Sequence, residues 1–158
     1  KKAYIYLKLN NITDSEIINS LYEASEAGVD IKLIVRGMIS LVPGLKDKSE
    51  NIKAIGIVDR FLEHSRFMIF CNGGSEEIYI SSADLMTRNI EHRIEVTCPV
   101  FDKNLKCELS RIFEIQWNDN VKARKIDAEQ SNKFVKPGNV PIQSQVDVYE
   151  YLNKSKGK

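Results

Sequence analysis

A chain of 158 residues is long enough for one hydrophobic core and short for two independent ones. Its composition, 42% hydrophobic and 28% charged, is that of a soluble globular domain, and no apolar run approaches the ~18 residues of a membrane span, which excludes a spanning role. The net charge of +1 is uneven, about −2 over residues 1–118 and about +3 over residues 119–158, so no general field draws a polyanion to the body and any phosphate site must be a local cluster of cations and backbone donors.

The chain opens on Lys1-Lys2 with neither an initiator methionine nor a signal-peptide pattern, and reads as a piece of a longer polypeptide. "AYIYLKL" is β-rich and predicts a strand. "TDSEIINSLYEASEAG" follows with a capping-box pattern, Thr13 with Glu16, an apolar stripe at helical spacing and Gly28 as a left-handed stop. "VDIKLIVRG" is a second strand, so the first 35 or so residues form a βαβ unit with parallel strands and a right-handed crossover. "MISLVPGLKDKSEN" is a loop, "IKAIGIVD" a third strand and "RFLEHS" a short link. "RFMIFCN", "GGSE" and "EIYISSA" make a β-hairpin around a glycine turn. "LMTRNIEH" predicts a short helical turn and "RIEVTCPV" another strand. "DKNLKCELSRIFEIQWND", with Asp102 as cap, is an amphipathic helix. From Asn118 the chain turns polar and loses periodicity. Residues 119–158 read as an extension packed on a single domain of residues 1–118, ending in a helix capped by Ser144 with Val148, Tyr151 and Leu152 facing inward.

Three groups of residues could carry chemistry. Arg36 stands at the carboxyl end of a central parallel strand, where α/β sheets bind ligands and a guanidinium fork suits phosphate; a surface ion pair is the competing reading. His64 and Arg66, two apart at a strand entrance, fall on one face and could grip or protonate a phosphate oxygen, against the plainer reading of a hydrogen-bonded structural histidine. For Arg66, pairing with an acid such as Glu63 competes. Ser81, Ser82 and Asp84, with Arg88 following, offer hydroxyls, amides and an acid that could orient His64, yet the same residues serve helix capping. His92, between Glu91 and Arg93, reads as a surface residue. Cys71, Cys98 and Cys107 form no CxxC pair and no even set, which favours a reducing compartment and argues against zinc.

Order and spacing say more than any one residue. His64-x-Arg66, an apolar strand, a glycine turn, a second strand and Ser81-Ser82-Ala83-Asp84 resemble the phospholipase D superfamily pattern, His-x-Lys followed by Gly-Ser-x-Asn, with arginine for lysine at 66 and Cys71 where that superfamily has aspartate. Together with "LYEASEAGVDIKLIVRG", "SENIKAIGIVDRFLEHSR" and "DKNLKCEL", the stretch is similar to the carboxyl-terminal domain of bacterial polyphosphate kinase over residues 5–115. The resemblance implies an α/β fold, a phospholipase D-like mixed sheet flanked by helices on both faces. It implies an enzyme that moves the terminal phosphate of ATP reversibly onto polyphosphate through a phosphohistidine in a preceding domain. Arg36, His64 and Arg66 would then bind ATP or phosphate, His64 as an assisting acid, base or donor rather than the nucleophile, with Ser81, Ser82, Asp84 and Arg88 behind them. Magnesium would act in the whole enzyme, with no metal ligand in this fragment. Partners would be ATP/ADP, polyphosphate, the remaining domains and a second copy in a homo-oligomer, with no nucleic acid. The location would be cytoplasmic, with peripheral attachment to the inner membrane face open. Two other readings stay open: a phospholipase D-like phosphodiesterase or nuclease, and a noncatalytic phosphate-binding or oligomerisation module.

Overall fold

The computed structural model describes residues 3–136 and 138–156. Strand β1 (Tyr4–Leu9) lies at its centre, with Leu7 and Leu9 buried on one face and Lys8 on the other, as a period of two requires. Helix α1 (Ser15–Glu26) returns the chain to β2 (Asp30–Val35), which pairs parallel to β1 from Tyr4 with Asp30 to Leu9 with Val35. The cap of α1 is Asp14 rather than Thr13: Asp14 is extended and its carboxylate accepts the N–H of Ile17 at 3.1 Å, while the Thr13 N–H is taken by the Leu85 carbonyl. At the other end Gly28, at φ +87°, closes the helix in a Schellman turn, with the N–H of Val29 on the Ala24 carbonyl and that of Gly28 on Ser25.

Beyond a loop, β3 (Ile52–Ile57) pairs parallel to β2. The predicted hairpin forms as β4 (Phe67–Phe70) and β5 (Glu77–Ser81), joined through a 3₁₀ turn at Asn72–Gly74 whose residues 72 to 74 all have positive φ. β4 runs antiparallel to β1, so the entrance to β4 meets the exit of β1. Helix α2 (Thr87–Glu91) and strand β6 (Thr97–Pro99) follow; the strand predicted from Arg93 is shorter than expected because Ile94 and Val96 are exposed and the ladder with β5 starts at Thr97. Helix α3 (Lys103–Trp117) is capped by Asp102, which accepts from the N–H groups of Asn104 and Leu105.

The polar tail departs from expectation. It adds a strand, β7 (Ala123–Ile126), antiparallel to β3, before helix α4 (Ser144–Lys156), which packs on α3. Ser144, expected as the cap, is the first residue of the helix, and its backbone N–H is held by Asp119 at 2.8 Å. The sheet therefore runs β6-β5-β4-β1-β2-β3-β7, mixed, with α1 packed on the face of Leu7, Leu33 and Val35 and α3, through Phe113, on the face of Ile34, Phe67 and Ile69. These two apolar layers enclose the sheet and leave the carboxyl ends of β1 and β2 and the entrance to β4 together at one edge.

Candidate functional site

At that edge Asp84 is the organising charge. It is buried, and its Oδ1 accepts the backbone N–H groups of Asn10 and Asn11, just past β1, at 2.9 and 3.1 Å, while Oδ2 accepts from the Asn11 side chain at 2.8 Å. Arg66 completes the shell with Nε on Oδ1 at 2.9 Å and a terminal nitrogen on Oδ2 at 3.1 Å, a bidentate fork. Burial works to raise the Asp84 carboxyl; Arg66, Asn11 and the backbone donors outweigh it and hold the group well below the usual carboxylate range. Asp84 touches Arg66 and not His64, so it orients the histidine only through the arginine.

His64 lies in the link before β4 rather than in the strand, and is exposed. Arg66 still reaches it, with one terminal nitrogen 3.0 Å from His64 Nε2 and the other 3.3 Å from the His64 carbonyl oxygen. A guanidinium has no lone pair to offer, so Arg66 donates and Nε2 accepts; in the neutral ring the proton then sits on Nδ1. Arg66 is thus engaged on both sides by protein groups. The acid it pairs with is Asp84, not Glu63.

Arg36 follows β2 and faces the same edge. Its Nε donates to Asn10 Oδ1 at 2.9 Å, while the Asn10 side-chain nitrogen is buried without a hydrogen-bond partner, an arrangement costing about 1–3 kcal/mol and tolerated where Asn10 orients the arginine. Gly37 has to be small: a Cβ there would stand 2.6 Å from Asn11 Oδ1 and displace the residue that holds Asp84. Beside Arg36 lies Lys8, its side chain only 4% exposed, pairing with Glu63 Oε2 at 2.6 Å and donating to the Ser65 carbonyl at 3.2 Å. Burial lowers the Lys8 ammonium, with Arg36 and Arg66 adding to it and Glu63 opposing. Burial would raise the Glu63 carboxyl, but Lys8 and the Ser65 donors bring it below its ordinary value. The two readings point to a charged pair, since each partner's charge is what compensates the burial of the other.

The remaining predicted residues lie elsewhere. Ser81 meets Thr97 and the N–H of Ala83, and Ser82 meets Glu95 and the N–H of Val96, so both tie β5 to the approach of β6. Arg88 is exposed on α2. His92 is exposed beside Glu91, as expected of a surface residue. Cys71 is buried at the far end of β4, about 13 Å of strand from Phe67, so its identity does not touch this edge. The sequence reading missed Lys8, Asn10 and Asn11. A lysine on a strand face shared with Tyr4 and Tyr6, followed by two asparagines opposite Arg36, was the available signal.

Among the described residues no group of three or more His, Cys, Asp or Glu could hold a metal ion. The two carboxylates at the edge are consumed by Arg66, Asn11 and Lys8, so the residues present do not fit magnesium and no step here runs through it. No helix among the described residues is long and apolar enough to cross a membrane.

A mixed sheet covered on both faces, with a histidine and arginines gathered at the strand ends, defines a phospholipase D-like α/β domain. The solved phospholipase D family member Nuc from Salmonella typhimurium shares the fold, with a TM-score of 0.61, 16% identity and coverage of 80% of this chain and 83% of that one. More specifically, the family described as "Polyphosphate kinase C-terminal domain 2" matches residues 1–145, and the chain belongs to that family. It is 53% identical over 153 residues to a polyphosphate kinase of Vibrio cholerae, covering 96% of this chain and 22% of that protein, and 51% identical over 149 residues to that of Escherichia coli K12, covering 94% and 22%. The crystal structure of polyphosphate kinase from Porphyromonas gingivalis matches 99% of this chain and 24% of that one, with a TM-score of 0.95 and 46% identity. The chain therefore spans about a fifth to a quarter of the length of these relatives.

Proposed function

We propose that this domain works within a polyphosphate kinase that transfers the terminal phosphoryl group of ATP, reversibly, to polyphosphate. The phosphorus leaves the bridging oxygen of ADP for a histidine nitrogen in a preceding domain, and then that P–N bond breaks as the terminal oxygen of the polymer takes the phosphorus. What supports the reading is the run of bonds that links Arg36 through Asn10, Asp84 and Arg66 to His64 in a member of this family. Among the described residues Arg36 is engaged only through Nε, so its two terminal nitrogens can take phosphate oxygens. Phosphoryl transfer depends on positioning and charge neutralisation more than on covalent chemistry from the protein. His64, with Nε2 held by Arg66, presents its Nδ1–H as a donor to a phosphate oxygen and is the assisting group rather than the nucleophile. Arg66, saturated by Asp84 and His64, sets the histidine in place more than it binds the substrate. Magnesium enters with the nucleotide. The same reading gives the rest of the polypeptide and a second copy as partners, no role for nucleic acid, and a cytoplasmic site of action.

The test uses the full-length kinase. His64→Ala and Arg36→Ala should each lower ATP-dependent polyphosphate synthesis by about 10²-fold or more while leaving the protein folded. Wild-type rates in both variants would overturn the assignment.

A further inference from the structure

Packing does not fix the link that carries His64. Phe61 and Leu62 are 67% and 71% exposed, and beneath the link lies a cavity of about 320 Å³ walled by Ile34, Ile57, Ile112 and Val148. A segment over a void keeps its place through directional bonds. From the sheet, Lys8 and Glu63 tie down residues 63 to 65. From the opposite side the ties come from the start of α4. Gln145 Oε1 accepts the Phe61 N–H at 2.9 Å and its Nε2 donates to the Phe61 carbonyl at 2.8 Å, so one side chain satisfies both backbone groups of a residue three before His64. Gln143 adds a bond from Nε2 to Asp59 Oδ2 at 2.7 Å.

That start of α4 is itself immobilised. Fully buried Asp119 accepts the Ser144 N–H through Oδ2, and through Oδ1 the N–H groups of Val121, Lys122 and Ala123 that lead into β7. A continuous chain of bonds thus runs from the sheet edge through Asp119, Ser144 and Gln145 to Phe61. We propose that Gln145 is a positioning residue for His64, and that through it the C-terminal helix sets where the imidazole stands at the phosphate-handling edge. This gives the polar tail a part in catalysis. It rests on the reading of His64 given above. Because a misplacement of about 1 Å can cost 10²-fold in rate, two bonds at Phe61 are enough to matter.

A double-mutant cycle in the full-length kinase tests it, with Gln145→Ala, His64→Ala and the pair, each followed by polyphosphate synthesis and thermal unfolding. Gln145→Ala should lower kcat about 10-fold with KM for ATP changed by less than about 2-fold, and should cost nothing further once His64 is alanine, because a residue acting through another has no effect in its absence. Gln145→Glu keeps the acceptor for the Phe61 N–H and loses the donor to its carbonyl, so its kcat should fall between wild type and Gln145→Ala. Should Gln145→Ala unfold, Gln145→Glu enters the same cycle in its place. A wild-type kcat at position 145, or an equal fold-loss with and without His64, overturns the positioning role alone. Wild-type synthesis by His64→Ala overturns the assisting role given to His64 and this inference together.

Discussion

Asp84 gathers five N–H donors from two separated parts of the chain, Asn10-Asn11 and Arg66, and each would be costly to leave bare. Asn10, Asn11 and Arg66 all point at one buried carboxylate, so removing its charge strands a guanidinium that makes no other ion pair among the described residues. Asp84→Asn, nearly isosteric, should therefore cost about 3 kcal/mol in denaturant unfolding at pH 7. The pH dependence fixes the cause. The folded carboxyl is depressed, so its contribution is fully present above the unfolded value near ~4 and is lost as pH falls through the folded one. The gap between wild type and Asp84→Asn should accordingly be widest at neutral pH and narrow steadily below ~4. A gap that stays constant from pH 7 to pH 3 would mean that shape rather than charge is what the site requires.

Among the elements, those with their own periodicity were readable in the sequence and those made by partners were not. β1, β2, β3, the hairpin and α3 each carry a full apolar pattern, and each forms where predicted. β7 is four residues, Ala-Arg-Lys-Ile, two of them charged; it is a strand because β3 offers an open edge, which no local pattern announces. The site divides the same way. Arg36 and His64 stood out by residue type at strand ends, whereas Asn10 and Asn11 matter through Asp84, more than seventy positions away, and Lys8 through Glu63 across the sheet edge. The tail is held in part by one buried long-range contact, Asp119 with Ser144. At Asp119, burial opposes ionisation, but the N–H of Lys122, the hydroxyl and N–H of Ser144 and the N–H of Ala123 prevail and keep the carboxyl below its ordinary value. An asparagine there would still accept through one oxygen but would turn its NH₂ toward the N–H of Ser144. Asp119→Asn should thus speed hydrogen exchange in the first turn of α4 and in β7 while β1 and β2 stay protected. Unchanged exchange in α4 would show that its start is held by other means.

At the scale of the molecule, the balance of charge at the edge bears on the proposed function. The edge gathers Lys8, Arg36 and Arg66 against Glu63 and Asp84, an excess of one positive charge, and two of those cations are already neutralised by the carboxylates. Three or more phosphates of a nucleotide, let alone a polymer, cannot be balanced by what is left, since each exposed phosphate needs its own cation or donor to displace counterions and water. On the proposed function, the remaining cations and the nitrogen that accepts the phosphoryl group are supplied by the rest of the kinase; the chain spans 22% of the length of its Vibrio cholerae relative. His64 in turn has Nε2 occupied by Arg66 and only a protonated Nδ1 to offer, so the neutral ring as held has no free lone pair with which to attack phosphorus. Incubated with γ-labelled ATP and magnesium, the isolated 158-residue chain should therefore take up no acid-labile phosphate, whereas the full-length kinase should, and His64→Ala in the full-length protein should slow transfer without abolishing the labelled site. A labelled adduct mapped to His64 in the isolated chain would require Arg66 to release Nε2 before the reaction, and would make this histidine the nucleophile instead of its assistant.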